Sequence, residues 1–194
     1  MTTMANHKEG DEMKAICIFL GSSFGNHAAY REAARAMGRE LAHRDVTCVY
    51  GGSSTGLMNE LADSALAAGG NVIGVTVQAL KDIENFHKGL TELHVLPTMH
   101  ERKNLMVQLS DGFIALPGGI GTFEEFFEVY TLALMGFHTK PCGLLNVNDF
   151  YLPLKNMLAA AEKEGFLKQP YRESILCSKN PADLLDLLMD RIVD

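Results

Sequence analysis

Gly112-Phe113-Ile114-Ala115-Leu116 runs straight into Pro117-Gly118-Gly119-Ile120-Gly121-Thr122, and then into Phe123-Glu124-Glu125-Phe126-Phe127. The first five residues are a short apolar run of the kind that forms a strand buried on both faces. Proline and glycine end that strand, and the apolar spacing beyond them predicts a helix over Phe123–Phe137. The same order of apolar run, glycine loop and helix occurs twice upstream. Ala15–Leu20 leads through Gly21-Ser22-Ser23-Phe24-Gly25 to a helix over Ala28–His43, where Tyr30, Ala33, Ala34, Met37 and Leu41 keep helical spacing. Val46–Tyr50 leads through Gly51-Gly52-Ser53-Ser54-Thr55-Gly56 to a helix over Leu57–Ala68, closed by Gly69-Gly70.

Further out, Val72–Val77, Leu93–Leu96, Pro141–Val147 and Ser174–Cys177 read as strands. Helices are expected over about Glu101–Ser110 and Phe150–Lys163, and from Pro181 onward with Asn180 as N-cap. Gln78–Glu92 has no clean period and reads as a surface loop or a short helix. Strands alternating with helices give an α/β fold, a Rossmann-like parallel sheet with helices on both faces. Ligands of such sheets bind beyond the carboxyl ends of the strands. Residues 14–194 make a single nucleotide-binding domain in this reading, and the polar segment 1–13 is expected to be a mobile tail.

Of 194 residues, 47% are hydrophobic and 21% charged, and 17 Lys+Arg against 24 Asp+Glu leave a net charge of −7. That is globular composition, and the acidic balance argues against nucleic-acid polymers, which need a basic surface. No apolar run approaches the ~18–20 residues that span a membrane, and residues 1–13 lack a signal-peptide apolar region. No membrane partner and a cytoplasmic location are therefore expected. Cys17, Cys48, Cys142 and Cys177 lie in or beside apolar runs and read as small buried hydrophobes. The seven His show no zinc spacing, so neither a metal nor a cofactor is expected.

The chemistry lies in the loops. Gly21 and Gly25, then Gly51, Gly52 and Gly56, then Gly118, Gly119 and Gly121 all fall at strand carboxyl ends. A glycine loop leading into a helix aims backbone N–H groups and the positive helix end at one spot, a ready phosphate site. No G-x-x-x-x-G-K-[ST] occurs, and Gly118-Gly119-Ile120-Gly121-Thr122-Phe123-Glu124 lacks the last glycine of G-x-G-x-x-G. A mononucleotide or sugar phosphate fits better than a nucleoside triphosphate or a dinucleotide. Two charged segments flank these loops: Met99-His100-Glu101-Arg102-Lys103, and Thr122 to Glu125. Thr122 and Glu125 also match a capping box with Thr122 as N-cap, which would leave Glu125 a purely structural role. Cleavage of an N-glycosidic bond uses all the parts: a carboxylate beside an oxocarbenium-like centre, and remote binding energy at a phosphate. Arg102 is a poor proton donor, so its work there is orientation and charge stabilisation. A non-catalytic nucleotide carrier or sensor on the same scaffold is the alternative.

The block Met99 to Lys103, followed by Ser110-Asp111-Gly112 through Pro117-Gly118-Gly119-Ile120-Gly121-Thr122-Phe123-Glu124-Glu125, resembles the LONELY GUY (LOG) family, whose hallmark is P-G-G-x-G-T-x-x-E. The likeness runs from about Lys14 to Phe166. It implies a phosphoribohydrolase that cleaves nucleoside 5′-monophosphates, including cytokinin riboside monophosphates and AMP, to free base and ribose 5-phosphate. It further implies a metal-free homodimer, with Arg102 and Glu125 as the catalytic pair. Substrate contacts carried over from the family fall on Glu84, Lys103, Gly118, Gly119, Ile120, Gly121, Thr122, Phe123, Glu124 and Thr131. The family is often labelled "lysine decarboxylase", a label no pyridoxal-phosphate lysine motif supports here. Ser53, Asn59 and Leu132 depart from the family pattern, which has Gly, Gly and Trp there.

Overall fold

The computed structural model describes residues 14–80 and 85–193. The predicted tail, 1–13, lies outside them. Seven strands form where apolar runs predict them, each end within two residues: β1 Ala15–Phe19, β2 Thr47–Tyr50, β3 Val72–Val77, β4 Glu92–Leu96, β5 Gly112–Ala115, β6 Cys142–Leu145 and β7 Leu176–Ser178. All pair in parallel, in the order β4-β3-β2-β1-β5-β6-β7. The chain adds strands outward from β1 to β4, then returns to place β5 on the other side of β1. The sheet's direction of growth therefore reverses between β1 and β5.

Among the described residues seven α-helices cover the faces: α1 Ala28–His43, α2 Gly56–Ala67, α3 Met99–Leu109, α4 Ile120–Leu134, α5 Leu152–Lys163, α6 Gln169–Glu173 and α7 Pro181–Val193. Side chains alternate along β1, so Ile16 and Ile18 enter one core while Cys17 and Phe19 enter the other. On the first face they meet Met37 and Leu41 of α1, Leu57 and Leu61 of α2, and Leu184 and Leu188 of α7. On the second they meet Met106 of α3 and Phe126, Val129 and Tyr130 of α4. The apolar stripe of α4 packs on this core: Phe126 and Tyr130 are buried in it, and the half-buried Phe123, Phe127 and Leu134 pack against it. Cys17, Cys48 and Cys142 are buried and Cys177 is half-buried. Among the described residues, no helix is long and apolar enough to cross a membrane.

Helix α4 departs from expectation at both ends. It begins at Ile120, with Gly119 as its N-cap, and ends at Leu134. Gly136, at φ +79°, closes it by donating to Ala133 O while Phe137 N donates to Leu132 O at 3.0 Å, a Schellman ending. Thr122 therefore lies inside the first turn, and the capping box expected between Thr122 and Glu125 does not form. The box forms one helix earlier: Thr98 Oγ1 accepts from Glu101 N at 3.2 Å, and Thr98 N donates to Glu101 Oε2 at 3.1 Å. At α7, Asn180 Oδ1 accepts from Ala182 N at 2.8 Å, the expected N-cap.

Candidate active site

The crevice beyond β1 and β5 is where the order of the sheet reverses, the place where open parallel sheets bind ligands. Three glycine loops meet there. Gly21 N donates to Pro117 O and Leu57 N donates to Gly21 O, each at 3.2 Å, so the first loop is tied to both others. The third packs on the first at Gly118, where a Cβ would fall 2.1 Å from Thr122 Oγ1 and 2.9 Å from Gly21 N. Only glycine leaves room for that approach. The loops enclose a cavity of about 280 Å³, walled by Gly21, Ser22, Gly51, Met58, Arg102, Gly119, Gly121, Thr122 and Glu125, with Leu80 and the exposed Ile120 also lining it. That volume lies near the lower end of the ~300–1,000 Å³ typical of ligand pockets.

One wall is the start of α4. The first turn of a helix leaves N–H groups without intrahelical acceptors, and Gly119 as N-cap has no side chain to accept from them. At Gly119 and Gly121 a Cβ would meet nothing within 4 Å, so no packing inside the protein requires glycine at either position. The space is left at the positive end of the helix, in front of donors that an anion would satisfy.

The facing wall is Arg102, in the first turn of α3 and 7% exposed. Its guanidinium is held from two sides. Nε donates to Val75 O near the end of β3, and Nη1 donates to Glu125 Oε1, each at 2.8 Å. Gly51 makes the room, since a Cβ there would lie 3.0 Å from Arg102 Nη2 and 3.1 Å from Met58 Sδ. Burial pushes the Glu125 carboxyl above its ordinary range, and the Arg102 guanidinium opposes that rise without cancelling it. A largely buried carboxylate held against a guanidinium, beside an uncapped helix end, can stabilise positive charge and accept a proton from water.

Other residues taken from the sequence lie elsewhere. Lys103 points away from Arg102, its Nζ 2.6 Å from Glu124 Oε1 and 2.9 Å from Glu128 Oε2, so α3 and α4 are joined by two neighbouring sets of ion pairs. Lys103 and Glu124 do not line the cavity, and neither does Gly118, which packs beneath the loop. Phe123 stacks against Phe150 and meets Tyr151 edge-on. Thr131 is exposed farther along α4, also off the cavity wall. Glu84 lies outside the described residues. Sequence reasoning did not find the Val75 carbonyl or the packing role of Gly51. Only the pair Gly51-Gly52 directly after a strand marked that place. Among the described residues, no three of His, Cys, Asp and Glu are placed to hold a metal ion.

Fold and cavity define a Rossmann-like α/β protein with a helix end free of side-chain capping and a largely buried carboxylate–guanidinium pair at its switch point. A family model described as "Possible lysine decarboxylase" matches residues 58–188. A cytokinin riboside 5′-monophosphate phosphoribohydrolase of Rhodococcoides fascians is 46% identical over 168 residues, covering 86% of this chain and 85% of that protein. Proteins of the same name from Arabidopsis thaliana (41% over 179 residues, 92% of this chain and 84% of theirs) and Oryza sativa subsp. japonica (41% over 172 residues, 89% and 71%) are similar to it as well. The chain belongs to this family, the LONELY GUY family. Among solved structures, a molybdenum cofactor binding protein from Rippkaea orientalis superposes with a TM-score of 0.69 at 22% identity, covering 95% of this chain and 100% of that one. A molybdenum cofactor carrier protein from Chlamydomonas reinhardtii gives 0.67 at 20%, covering 94% and 99%. Likeness at that level of identity concerns the fold alone.

Proposed function

We propose that the protein hydrolyses the N-glycosidic bond of purine nucleoside 5′-monophosphates, AMP and cytokinin riboside monophosphates among them, to free base and ribose 5-phosphate. The observation that carries this is the Arg102–Glu125 pair, largely buried in the wall of the cavity that the uncapped N-terminus of α4 also lines. In this reading the 5′-phosphate sits on the first turn of α4, where Gly119 and Gly121 leave space, and Ile120 and Thr122 border it. Binding energy spent there, away from the reacting bond, positions C1′ near Glu125. The C1′–N bond breaks with its electron pair passing to the base nitrogen, and the carboxylate stabilises the ribosyl cation that forms. Water adds its oxygen to C1′ and loses a proton, and one proton ends on the departing base. Arg102, anchored on Val75 O, fixes the carboxylate and stays charged throughout.

The names of relatives at 41–46% identity support the substrate class. The assignment of Lys103, Gly118, Phe123, Glu124 and Thr131 to substrate binding rests on the family pattern; with the ion pairs described above, Lys103 and Glu124 would act by fixing α4 against α3. A homodimer in the cytoplasm completes the proposal, and the exposed Met135 and Phe137 just past α4 supply apolar surface for such a contact.

The test is a panel of nucleoside 5′-monophosphates followed by chromatography for base and by assay for ribose 5-phosphate. Release of equal amounts of both from at least one purine monophosphate is expected. Nucleotide binding in calorimetry with no release from any of them would instead make the protein a carrier.

A further inference from the structure

Leu116 is the hinge of the third glycine loop. β5 has ended at Ala115, and Pro117, which has no N–H, starts the turn toward α4. Leu116 N is held on Phe19 O at 2.9 Å. Its buried carbonyl accepts from a residue far along the chain, the hydroxyl of Tyr151, at 2.6 Å. Tyr151 is 1% exposed and does not line the cavity. Its ring packs edge-on to Phe123, the fourth residue of α4, with centroids 6.4 Å apart, and to Phe150 at 5.0 Å. One side chain thus touches both ends of the segment that presents the phosphate site: the carbonyl before Pro117 and the helix after Thr122.

The loop that delivers Tyr151 is built with care. Asn146 is buried, its N bonds to Ser178 O at 2.8 Å, and its Oδ1 accepts from Tyr151 N at 2.7 Å. Asn148 and Asp149 hold left-handed backbone at φ +51° and +57°. Such conformations in non-glycine residues persist only where their surroundings enforce them, and here Asn146 Nδ2 and Lys179 Nζ both hold the Asp149 carboxylate.

We propose that Tyr151 is a positioning residue for the hydrolysis: by holding the Leu116 carbonyl it sets the angle at which Pro117-Gly118-Gly119 leaves β5, and so aims the N-terminus of α4 at the substrate's phosphate. The role rests on the N-glycosidase reading above and adds a residue outside the cavity to it. Tyr151→Phe removes one oxygen and keeps the ring. With a purine monophosphate that the wild type hydrolyses, KM is expected to rise about tenfold, with kcat within about threefold of wild type. The inhibition constant of ribose 5-phosphate, which shares the phosphate but not the glycosidic bond, rises with KM. Asn146→Ala loosens Tyr151 from behind while leaving its hydroxyl, and moves both constants in the same direction by a smaller factor. This variant carries the test if Tyr151→Phe does not fold. Loss confined to kcat, or KM and inhibition constants equal to wild type in both variants, overturns the role of Tyr151 alone. A wild-type chain that releases no base overturns the N-glycosidase reading and this role with it.

Discussion

Glu125 stands between opposed influences, and the balance between them makes predictions. Burial raises its pKa and Arg102 opposes the rise, leaving the carboxyl above the ordinary 4.5. In the proposed hydrolysis Glu125 works as the carboxylate, so base release should fall as pH drops through a value above 4.5, a shift read from the acid limb of kcat/KM. A carboxyl whose pKa rises on folding contributes stability that is complete below its unfolded pKa and lost as pH climbs through the folded one. Glu125→Gln should therefore melt no lower than wild type at pH 7, because the amide oxygen can still accept from Arg102 Nη1, while base release drops by about 10²–10³-fold. Melting curves and chromatography on one preparation check both halves. The glycines separate in the same way. Gly121→Ala adds a methyl where nothing lies within 4 Å, so stability should hold while KM rises. Gly51→Ala crowds Arg102 Nη2 at 3.0 Å, so kcat should fall. Arg102 and Glu125 were legible because a specific motif surrounds them. The work of Gly51 was not, because the side chain it makes room for lies in another element and no local pattern encodes that approach.

Short buried strands are the best-written part of this sequence, since residues covered on both faces must all be apolar. Helix ends are harder to read. The start of α4 lies three residues before its predicted place because Gly119, Ile120 and Gly121 are weak helix formers, and tertiary contacts override that preference. Thr122 and Glu125 fit the capping pattern but sit one turn too deep to use it. Thr98 and Glu101, which do use it, hold the first turn of the helix that carries Arg102. Thr98→Ala should cost about 1 kcal/mol in denaturant unfolding and raise the activity loss on warming, since fraying there loosens Arg102 first. Helix α6 spans Gln169–Glu173, too short for any apolar period to appear, and went unread.

Across the whole molecule, the sequence pattern indicated a parallel sheet but not its order. No residue in β5 says that it belongs beside β1 rather than β4, and that placement creates the crevice. The two cores also divide the labour: α3 and α4, with the Arg102–Glu125 pair, cover one face, while α1, α2 and α7 cover the other. Leu188 of α7 is fully buried on the face that α1 and α2 share with it. Leu188→Ala should cost about 2–5 kcal/mol of stability in denaturant titration, with KM unchanged for the molecules that remain folded. The bonds of Arg102, to β3 through Val75 O and to α4 through Glu125, have one more consequence, which concerns synthesis. A chain leaving the ribosome presents Arg102 before Glu125 has been made, and at that moment one edge of β1 is still unpaired in the middle of the future sheet. Arrival of β5 and α4 closes that edge and completes the pair in the same event. In the proposed hydrolysis, nascent fragments that stop short of β5 and α4 therefore lack both the Arg102–Glu125 pair and a cover for that edge, and enzyme activity in an extract should count only chains that have passed that step.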